Sequence, residues 1–268
     1  MIYCGVVGNP IEHSLSPTIH QLFANQCGIE LEYKKILSPL DSFAKTTTDF
    51  FEKGLGLNVT VPFKIEAFNF ANDYSQYARI AGAVNTLKKE NGKIIGHNTD
   101  GYGLVQDIQN NLNFSLKDKK ILILGAGGAT QGILLPILEQ NPAKVLIANR
   151  TKEKSEKLAK QFSKYGFVCG FGLDKIKNES VDLVINATST SLSESQLKLP
   201  TGVFENALCY DLFYGKQTKF MEFAKENGAI KIVDGLGMLV EQAANSFKIW
   251  HGEELKLNTE KVIDSLRS

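Results

Sequence analysis

Lys120-Ile121-Leu122-Ile123-Leu124, followed at once by Gly125-Ala126-Gly127-Gly128-Ala129, is the stretch on which the fold turns. An apolar run of strand length that stops on glycine and gives way to a helix-like segment, here through about Leu138, opens a strand–helix–strand unit. Glycine permits the tight turn and lets backbone N–H groups approach a phosphate. The helix start that follows adds partial positive charge at the same place. The strict G-x-G-x-x-G spacing is not met, because Thr130 stands where the third glycine would fall.

Outward from this loop the pattern repeats. Lys144-Val145-Leu146-Ile147-Ala148-Asn149-Arg150 predicts a second strand, and Asp182-Leu183-Val184-Ile185-Asn186 another. Leu208 to Leu212 and Ile230 to Val233 predict two more, with helices over Glu153–Lys164 and Lys219–Asn227. Continuous apolar strands alternating with helices imply a parallel sheet covered on both faces. The expected fold is α/β: a doubly wound, Rossmann-type domain over residues 103–237. Before it, strands are expected over Ile2–Gly8, Tyr33–Leu37 and Gly56–Pro62, and helices over Ser16–Cys27 and Phe43–Lys53. Asn91-Gly92 between Thr86–Lys89 and Lys93–His97 is a strong hairpin signal. Helices from Met238 to Trp250 and from Thr259 to Leu266 are expected to return to this first domain. The chain then divides into residues 1–102 plus 238–268 and an inserted domain at 103–237, with a cleft between them.

Composition narrows the function classes. The 268 residues carry a formal charge of +1, with 43% hydrophobic and 22% charged residues. No basic run suggests nucleic acid, and no apolar run suggests a membrane span. Cys4, Cys27, Cys169 and Cys209 form no C-x-x-C pair, and His13, His20, His97 and His251 are too scattered for a metal site. The amino terminus lacks a secretion signal. A cytoplasmic protein without metal, monomeric or homodimeric, is expected.

The end of the second strand bears on the cofactor. NAD-dependent domains usually place Asp or Glu there, on the ribose 2′-hydroxyl. This chain has Asn149-Arg150-Thr151, with Lys154 one helical turn on. A guanidinium can clamp a 2′-phosphate that a carboxylate would repel, which favours NADP.

In the first domain, His13-Ser14-Leu15-Ser16-Pro17 puts two hydroxyls beside a helix start. In an extended segment Ser14 and Ser16 share a face and can receive a carboxylate, although Ser16 also suits a helix cap. Asn58 and Thr60 share one face of a strand whose other face, Val59 and Val61, is expected in the core. Such polar residues need partners, which a polyhydroxylated ligand could supply. Lys64 follows in an expected loop, where a lone lysine is ordinarily just solvated. Asn85-Thr86 and Asn98-Thr99-Asp100-Gly101 close the domain. By itself Asp100 reads as a turn or cap residue.

Taken together, these segments resemble the shikimate dehydrogenase family. The resemblance is carried by Gly8-Asn9-Pro10 through Pro17, Asn58-Val59-Thr60-Val61-Pro62-Phe63-Lys64, Gly82-Ala83-Val84-Asn85-Thr86, Asn98-Thr99-Asp100-Gly101, Gly125 to Ala129, Asn149-Arg150-Thr151, Asn186-Ala187-Thr188-Ser189, and Asp234-Gly235-Leu236-Gly237-Met238-Leu239 through Gln242. They stand in the family's order over nearly the whole chain. The resemblance implies NADPH-dependent, reversible reduction of 3-dehydroshikimate to shikimate. Lys64 and Asp100 match the family's catalytic pair, and Ser14 and Ser16 its carboxylate-holding residues. Thr60, Asn85, Asp100, Tyr214 and Gln242 match positions that touch the ring hydroxyls, with Asn58 and Thr99 close by. For the cofactor, Gly125, Ala126, Gly127, Gly128 and Ala129 match the pyrophosphate loop. Asn149, Arg150, Thr151 and Lys154 match the 2′-phosphate clamp, and Thr188 falls among the cofactor positions. Leu212, Gly235 and Met238 match the nicotinamide pocket. Two departures stand out. Thr218-Lys219 replaces the family's frequent Thr-Pro, and Leu192-Ser193 replaces a common glycine. Two other readings are a relative acting on quinate as well, possibly with NAD, and a non-catalytic dinucleotide-binding protein.

Overall fold

The computed structural model describes residues 1–188 and 199–268. Ser189, Leu192 and Ser193 lie outside the described residues. The chain divides into two compact units, Met1–Gly103 with Leu239–Ser268, and Leu104–Met238.

The first unit opens with β1 (Ile2–Gly8), α1 (Ser16–Cys27), β2 (Leu31–Leu37), α2 (Phe43–Phe51) and β3 (Gly56–Val59). It continues with α3 (Lys64–Phe70), β4 (Asp73–Tyr74), α4 (Gln76–Ala81), β5 (Thr86–Glu90), β6 (Lys93–His97) and the start of α5 (Asp100–Gln106). Its sheet has the order β2-β1-β3-β5-β6-β4. Strand β1 is flanked by parallel partners, and the β5–β6 hairpin is antiparallel. The hairpin turn falls on Asn91 and Gly92, at φ 50° and 77°, the positive values that a two-residue turn between twisted strands requires.

In the second unit β7 (Lys120–Leu124), α6 (Gly128–Leu138), β8 (Lys144–Asn149), α7 (Lys152–Phe162), β9 (Val168–Gly172), β10 (Leu183–Asn186), β11 (Leu208–Asp211), α8 (Lys219–Glu226) and β12 (Lys231–Val233) form an all-parallel sheet with its crossover helices. The strand order is β12-β11-β10-β7-β8-β9. Counted within the domain this is 3-2-1-4-5-6, the dinucleotide-binding order, with the switch point between β7 and β10. Residues Ile121, Leu122, Ile123 and Leu124 are all fully buried. Leu122 and Leu124 join a cluster with Phe220 and Ala224 of α8. By strand alternation Ile121 and Ile123 face the other way, so both faces of the sheet are covered. Strand β9 is an element that the apolar pattern did not predict.

Helices α9 (Leu236–His251) and α10 (Thr259–Arg267) complete the chain. Val240, Ala243, Phe247 and Trp250 of α9 and Val262 of α10 cluster with Cys4, Ile19 and Phe23, covering one face of the first sheet. The other face is covered by Phe43, Phe51, Phe63, Ala67 and Ala78 from α2, α3 and α4 and the turns before them. Gly56 is required beside Trp250, because a Cβ there would run into the indole ring. The indole nitrogen donates to the Leu87 carbonyl at 3.0 Å.

Four local expectations need correcting. The segment before α1 is a turn, not extended, with Ser14 N–H donating to the Ile11 carbonyl. Ser16 is the first helical residue and not the cap. Instead the Ser14 hydroxyl accepts the Ser16 N–H at 3.3 Å. Strand β3 ends at Val59, and Val61, past that end, is 66% exposed and does not enter the core. Lys64 is the first residue of α3, not a loop residue. Phe63, fully buried and stacked on Phe43 at 5.1 Å, anchors the turn that delivers it.

His20 of α1 is fully buried, stacked on Tyr33 at 4.4 Å and on Trp250 at 5.2 Å, with neither ring nitrogen hydrogen-bonded. Burial pushes its pKa down to about 3, against roughly 6.5 in an unfolded chain. The unfolded state therefore takes up a proton that the folded state refuses. The stability this residue preserves is complete above pH 6.5 and is lost as the pH falls toward 3. At pH 5 the loss from this one group is expected to be about 2 kcal/mol. Denaturant melts of wild type and His20→Phe between pH 7 and 5 check this. The variant should show a flatter pH dependence, and parallel curves would refute the assignment.

Candidate active site

In the first unit the structure gathers side chains from four segments. Lys64 Nζ donates to Asp100 Oδ2 at 2.5 Å, its side chain about a third exposed and that of Asp100 nearly buried. The Lys64 carbonyl accepts the Val84 N–H at 2.9 Å, which fixes the start of α3 next to Asn85. Asp100 stands in the first turn of α5, where the helix dipole favours a carboxylate. Its own N–H is held by the Asn98 side chain at 3.1 Å.

Asn85 organises the rest. Its Oδ1 accepts the Thr99 backbone N–H at 2.9 Å, so the amide can point only one way. Its Nδ2 then donates to Asp100 Oδ1 at 2.8 Å, to Thr99 Oγ1 at 2.9 Å and to Gln242 Oε1 at 3.1 Å. Asn85, Thr99 and Asp100 are buried, and Gln242 on α9 is half-buried. Each oxygen of Asp100 thus has a donor, one neutral and one cationic. The ammonium of Lys64 remains partly open to a further acceptor.

Asn58 behaves differently from the sequence expectation. Its Nδ2 donates to Ser246 Oγ at 3.0 Å and Thr86 Oγ1 at 3.1 Å, and its Oδ1 accepts from the Tyr33 hydroxyl at 2.7 Å. The protein itself, and not a ligand, supplies its partners. Thr86 Oγ1 and Ser246 Oγ stand 2.8 Å apart, so a polar chain runs from Tyr33 through Asn58 to Thr86 and Ser246. Tyr33 and Ser246 were not picked out from the sequence, and Thr86 and Asn98 stood in quoted motifs without a role of their own. Ser246 lies 188 residues from Asn58, and no local pattern joins them. Thr60 is half-buried just past β3, beside Gly8, where a Cβ would strike the Thr60 methyl group.

The second unit carries the other set. Gly125 has φ +107°, and a Cβ there would sit 3.0 Å from the Ala187 carbonyl oxygen at the end of β10. The turn therefore lies at the switch point, beside Thr188. At Gly127 and Gly128 a Cβ would meet nothing within 4 Å, so the backbone of the loop faces open space. No side chain caps α6, which leaves its first N–H groups available for an anion. Thr130, fully buried, donates its hydroxyl to the Gly125 carbonyl at 2.9 Å.

Strand β8 ends on Asn149, whose amide donates to the Thr151 carbonyl at 2.8 Å. Arg150 and Lys154 are exposed and have no acidic partner within ion-pair distance among the described residues. Thr188 Oγ1 donates to Asn186 Oδ1 at 2.7 Å, and Asn186 Nδ2 donates to the buried Asp211 at 3.1 Å. Burial raises the Asp211 pKa. Asp211 also accepts from Thr218 Oγ1 at 2.6 Å, and Thr218 caps α8 through the Met221 N–H. Thr218-Lys219 is thus a working helix start without proline. Tyr214, in the loop between β11 and α8, is half-buried, and burial raises its pKa. Leu212 lies just past β11, and Gly235 is pressed against the Leu212 carbonyl.

A parallel sheet with this strand order, a glycine turn at its switch point and two exposed cations after its second strand define a dinucleotide-binding protein. Family models agree with that class. The shikimate dehydrogenase substrate-binding domain matches residues 6–87, shikimate/quinate 5-dehydrogenase matches 106–196, and the shikimate 5′-dehydrogenase C-terminal domain matches 235–267. The chain belongs to the shikimate dehydrogenase family. It is 58% identical to the shikimate dehydrogenase (NADP(+)) of Ruthia magnifica over 264 residues, covering 98% of each chain. Among solved structures, an Ael1 enzyme from Pseudomonas putida superposes with a TM-score of 0.92 at 41% identity, over 99% of this chain and 98% of that one. The shikimate 5-dehydrogenase of Thermus thermophilus, solved with NADP(H) and shikimate, gives 0.87 at 30% identity, over 100% and 99%. No helix among the described residues is long and apolar enough to cross a membrane.

Proposed function

We propose that the chain catalyses the reversible, NADPH-dependent reduction of 3-dehydroshikimate to shikimate, a step in aromatic amino-acid biosynthesis. The observation that carries this reading is the Lys64–Asp100 pair, held at 2.5 Å with Asp100 oriented by the fixed amide of Asn85. NADPH, when bound, supplies the hydride. Negative charge develops on the substrate's ketone oxygen, and the Lys64 ammonium stabilises it and delivers a proton. In the reverse direction Lys64 takes that proton back. Asp100 keeps Lys64 in place, and its oxygens, with Asn85, Thr99 and Gln242, face the ring hydroxyls. Thr60 and Tyr214 add contacts to those hydroxyls, and Ser14 and Ser16 receive the ring carboxylate. Asn58 supports this set from within. For the cofactor, Gly125, Ala126, Gly127, Gly128 and Ala129 would hold the pyrophosphate, with Thr188 beside them. Asn149, Arg150, Thr151 and Lys154 would hold the adenosine 2′-phosphate, and Leu212, Gly235 and Met238 the nicotinamide. The first unit is then the substrate-binding domain and the second the NADP-binding domain. All four cysteines are free, which fits a cytoplasmic enzyme, working as a monomer or homodimer.

Shikimate and quinate, each assayed with NADP and NAD by absorbance of the reduced nicotinamide, test the reading. The highest kcat/KM is expected for shikimate with NADP. No turnover with any of the four pairs would make the chain a dinucleotide-binding protein and not an enzyme. Preference for quinate or NAD would move it to the other branch of the family.

A further inference from the structure

Asp107 and Tyr210 form a buried pair that the chemistry above does not use. Asp107 is 2% exposed and Tyr210 is fully buried. The tyrosine hydroxyl donates to Asp107 Oδ2 at 2.5 Å and accepts the Met238 backbone N–H at 3.2 Å. Burying a carboxyl and a phenol is unfavourable unless both are satisfied, so the arrangement calls for an explanation. The end of α5 gives one. After Gln106 the helix widens into a single π-turn over Asp107–Asn111, where the Leu112 N–H bonds the Asp107 carbonyl and the Asn111 amide bonds Asp107 Oδ1 at 2.9 Å. Single π-turns inside helices concentrate at functional sites. This one turns Asp107 toward Gly237 in the first turn of α9.

The backbone entering α9 is pressed down at two points. A Cβ at Gly235 would strike the Leu212 carbonyl, and a Cβ at Gly237 would strike the Asp107 carboxyl group. The Gly235 N–H also bonds the Phe213 carbonyl at 2.9 Å. Residues 235–238 are therefore held between the Leu212 carbonyl just past β11 and the Asp107 carboxyl group, with Tyr210 of β11 accepting the Met238 N–H. The carboxyl ends of the strands are where open α/β sheets bind their ligands.

We infer that Tyr210 and Asp107 are positioning residues: through the Met238 N–H and the two glycines they set the backbone that receives the nicotinamide half of the cofactor. The inference rests on the reading of the chain as an NADP-dependent dehydrogenase. It separates the two halves of the dinucleotide, because the 2′-phosphate end is bound at Arg150 and Lys154.

Tyr210→Phe tests it by binding as well as by rate. The Kd of NADPH, followed by fluorescence of the reduced nicotinamide, is expected to rise about tenfold, the size of effect that one orphaned buried donor produces. The Kd of adenosine 2′,5′-bisphosphate, which lacks the nicotinamide, should stay within about twofold. A larger primary deuterium isotope effect from 4-deuterated NADPH should accompany a lower kcat. If both ligands bind as to wild type and only Tm falls, the pair is merely structural and the inference fails. Equal weakening of both ligands also overturns it. Asp107→Asn, close in size but with one acceptor fewer, is the second variant should Tyr210→Phe not fold, and the same pattern is expected in weaker form. Wild-type protein that binds NADPH but oxidises no shikimate would overturn the enzyme reading while leaving the clamp measurable. Wild type that binds no NADPH overturns both.

Discussion

Lys64→Ala is expected to lower kcat by about 10²–10⁴-fold, the range for losing a general acid–base group, while the KM for shikimate changes only a few-fold. The structure says why the two should separate. Lys64 leaves without disturbing the polar cluster around Asn85, because Asp100 keeps the Asn85 amide on Oδ1 and the Asn98 side chain on its N–H. Asn85 in turn stays locked by the Thr99 N–H. What disappears is the cation proposed to meet the developing oxyanion. Steady-state rates at saturating NADP, with shikimate varied, provide the check. A variant that keeps more than a tenth of wild-type turnover removes Lys64 from the chemistry. A proportional rise in KM with kcat unchanged would make it a binding residue only.

Arg150→Ala should weaken NADPH about 10–150-fold, the equivalent of one lost hydrogen-bonded charge contact, and leave NADH nearly unaffected. Arg150 is exposed and has no acidic partner among the described residues, so its removal breaks nothing inside the fold. The strand it follows ends on Asn149 and not on a carboxylate, so nothing there selects for a free ribose hydroxyl. Fluorescence titrations with both reduced cofactors decide the matter. Equal losses for the two would mean that the clamp is elsewhere.

The second unit was largely legible because its strands are buried on both faces and read as unbroken apolar runs. Strand β9 escaped because Val168-Cys169-Gly170-Phe171-Gly172 carries two glycines. Gly170 is needed there, since a Cβ would collide with the Ser155 carbonyl of α7. Helices α3, α4 and α5 have seven, six and seven residues, too few to repeat an apolar stripe. Lys64 therefore looked like a loop residue. At the site, Lys64, Asn85, Thr99, Asp100 and Gln242 could be listed from motifs, but not how they bond. Nothing in the sequence indicated that Asn58 would find all its partners inside the protein, or that Ser246 on a distant helix would be one of them. Long-range polar contacts leave no periodicity to read. Val61 misleads because strand alternation, extended past the point where the strand stops, puts it in the core.

Thr130 has a consequence for how the loop meets its ligand. Its hydroxyl already ties off the Gly125 carbonyl, and Gly125 is hemmed in by the end of β10. The start of the turn is thus held by the protein itself, with the Gly125 N–H also bonded to the Ala148 carbonyl at 2.8 Å. At that end of the loop, association with a dinucleotide need not freeze a wandering backbone, and part of the entropy of ordering that would otherwise oppose affinity is met during folding.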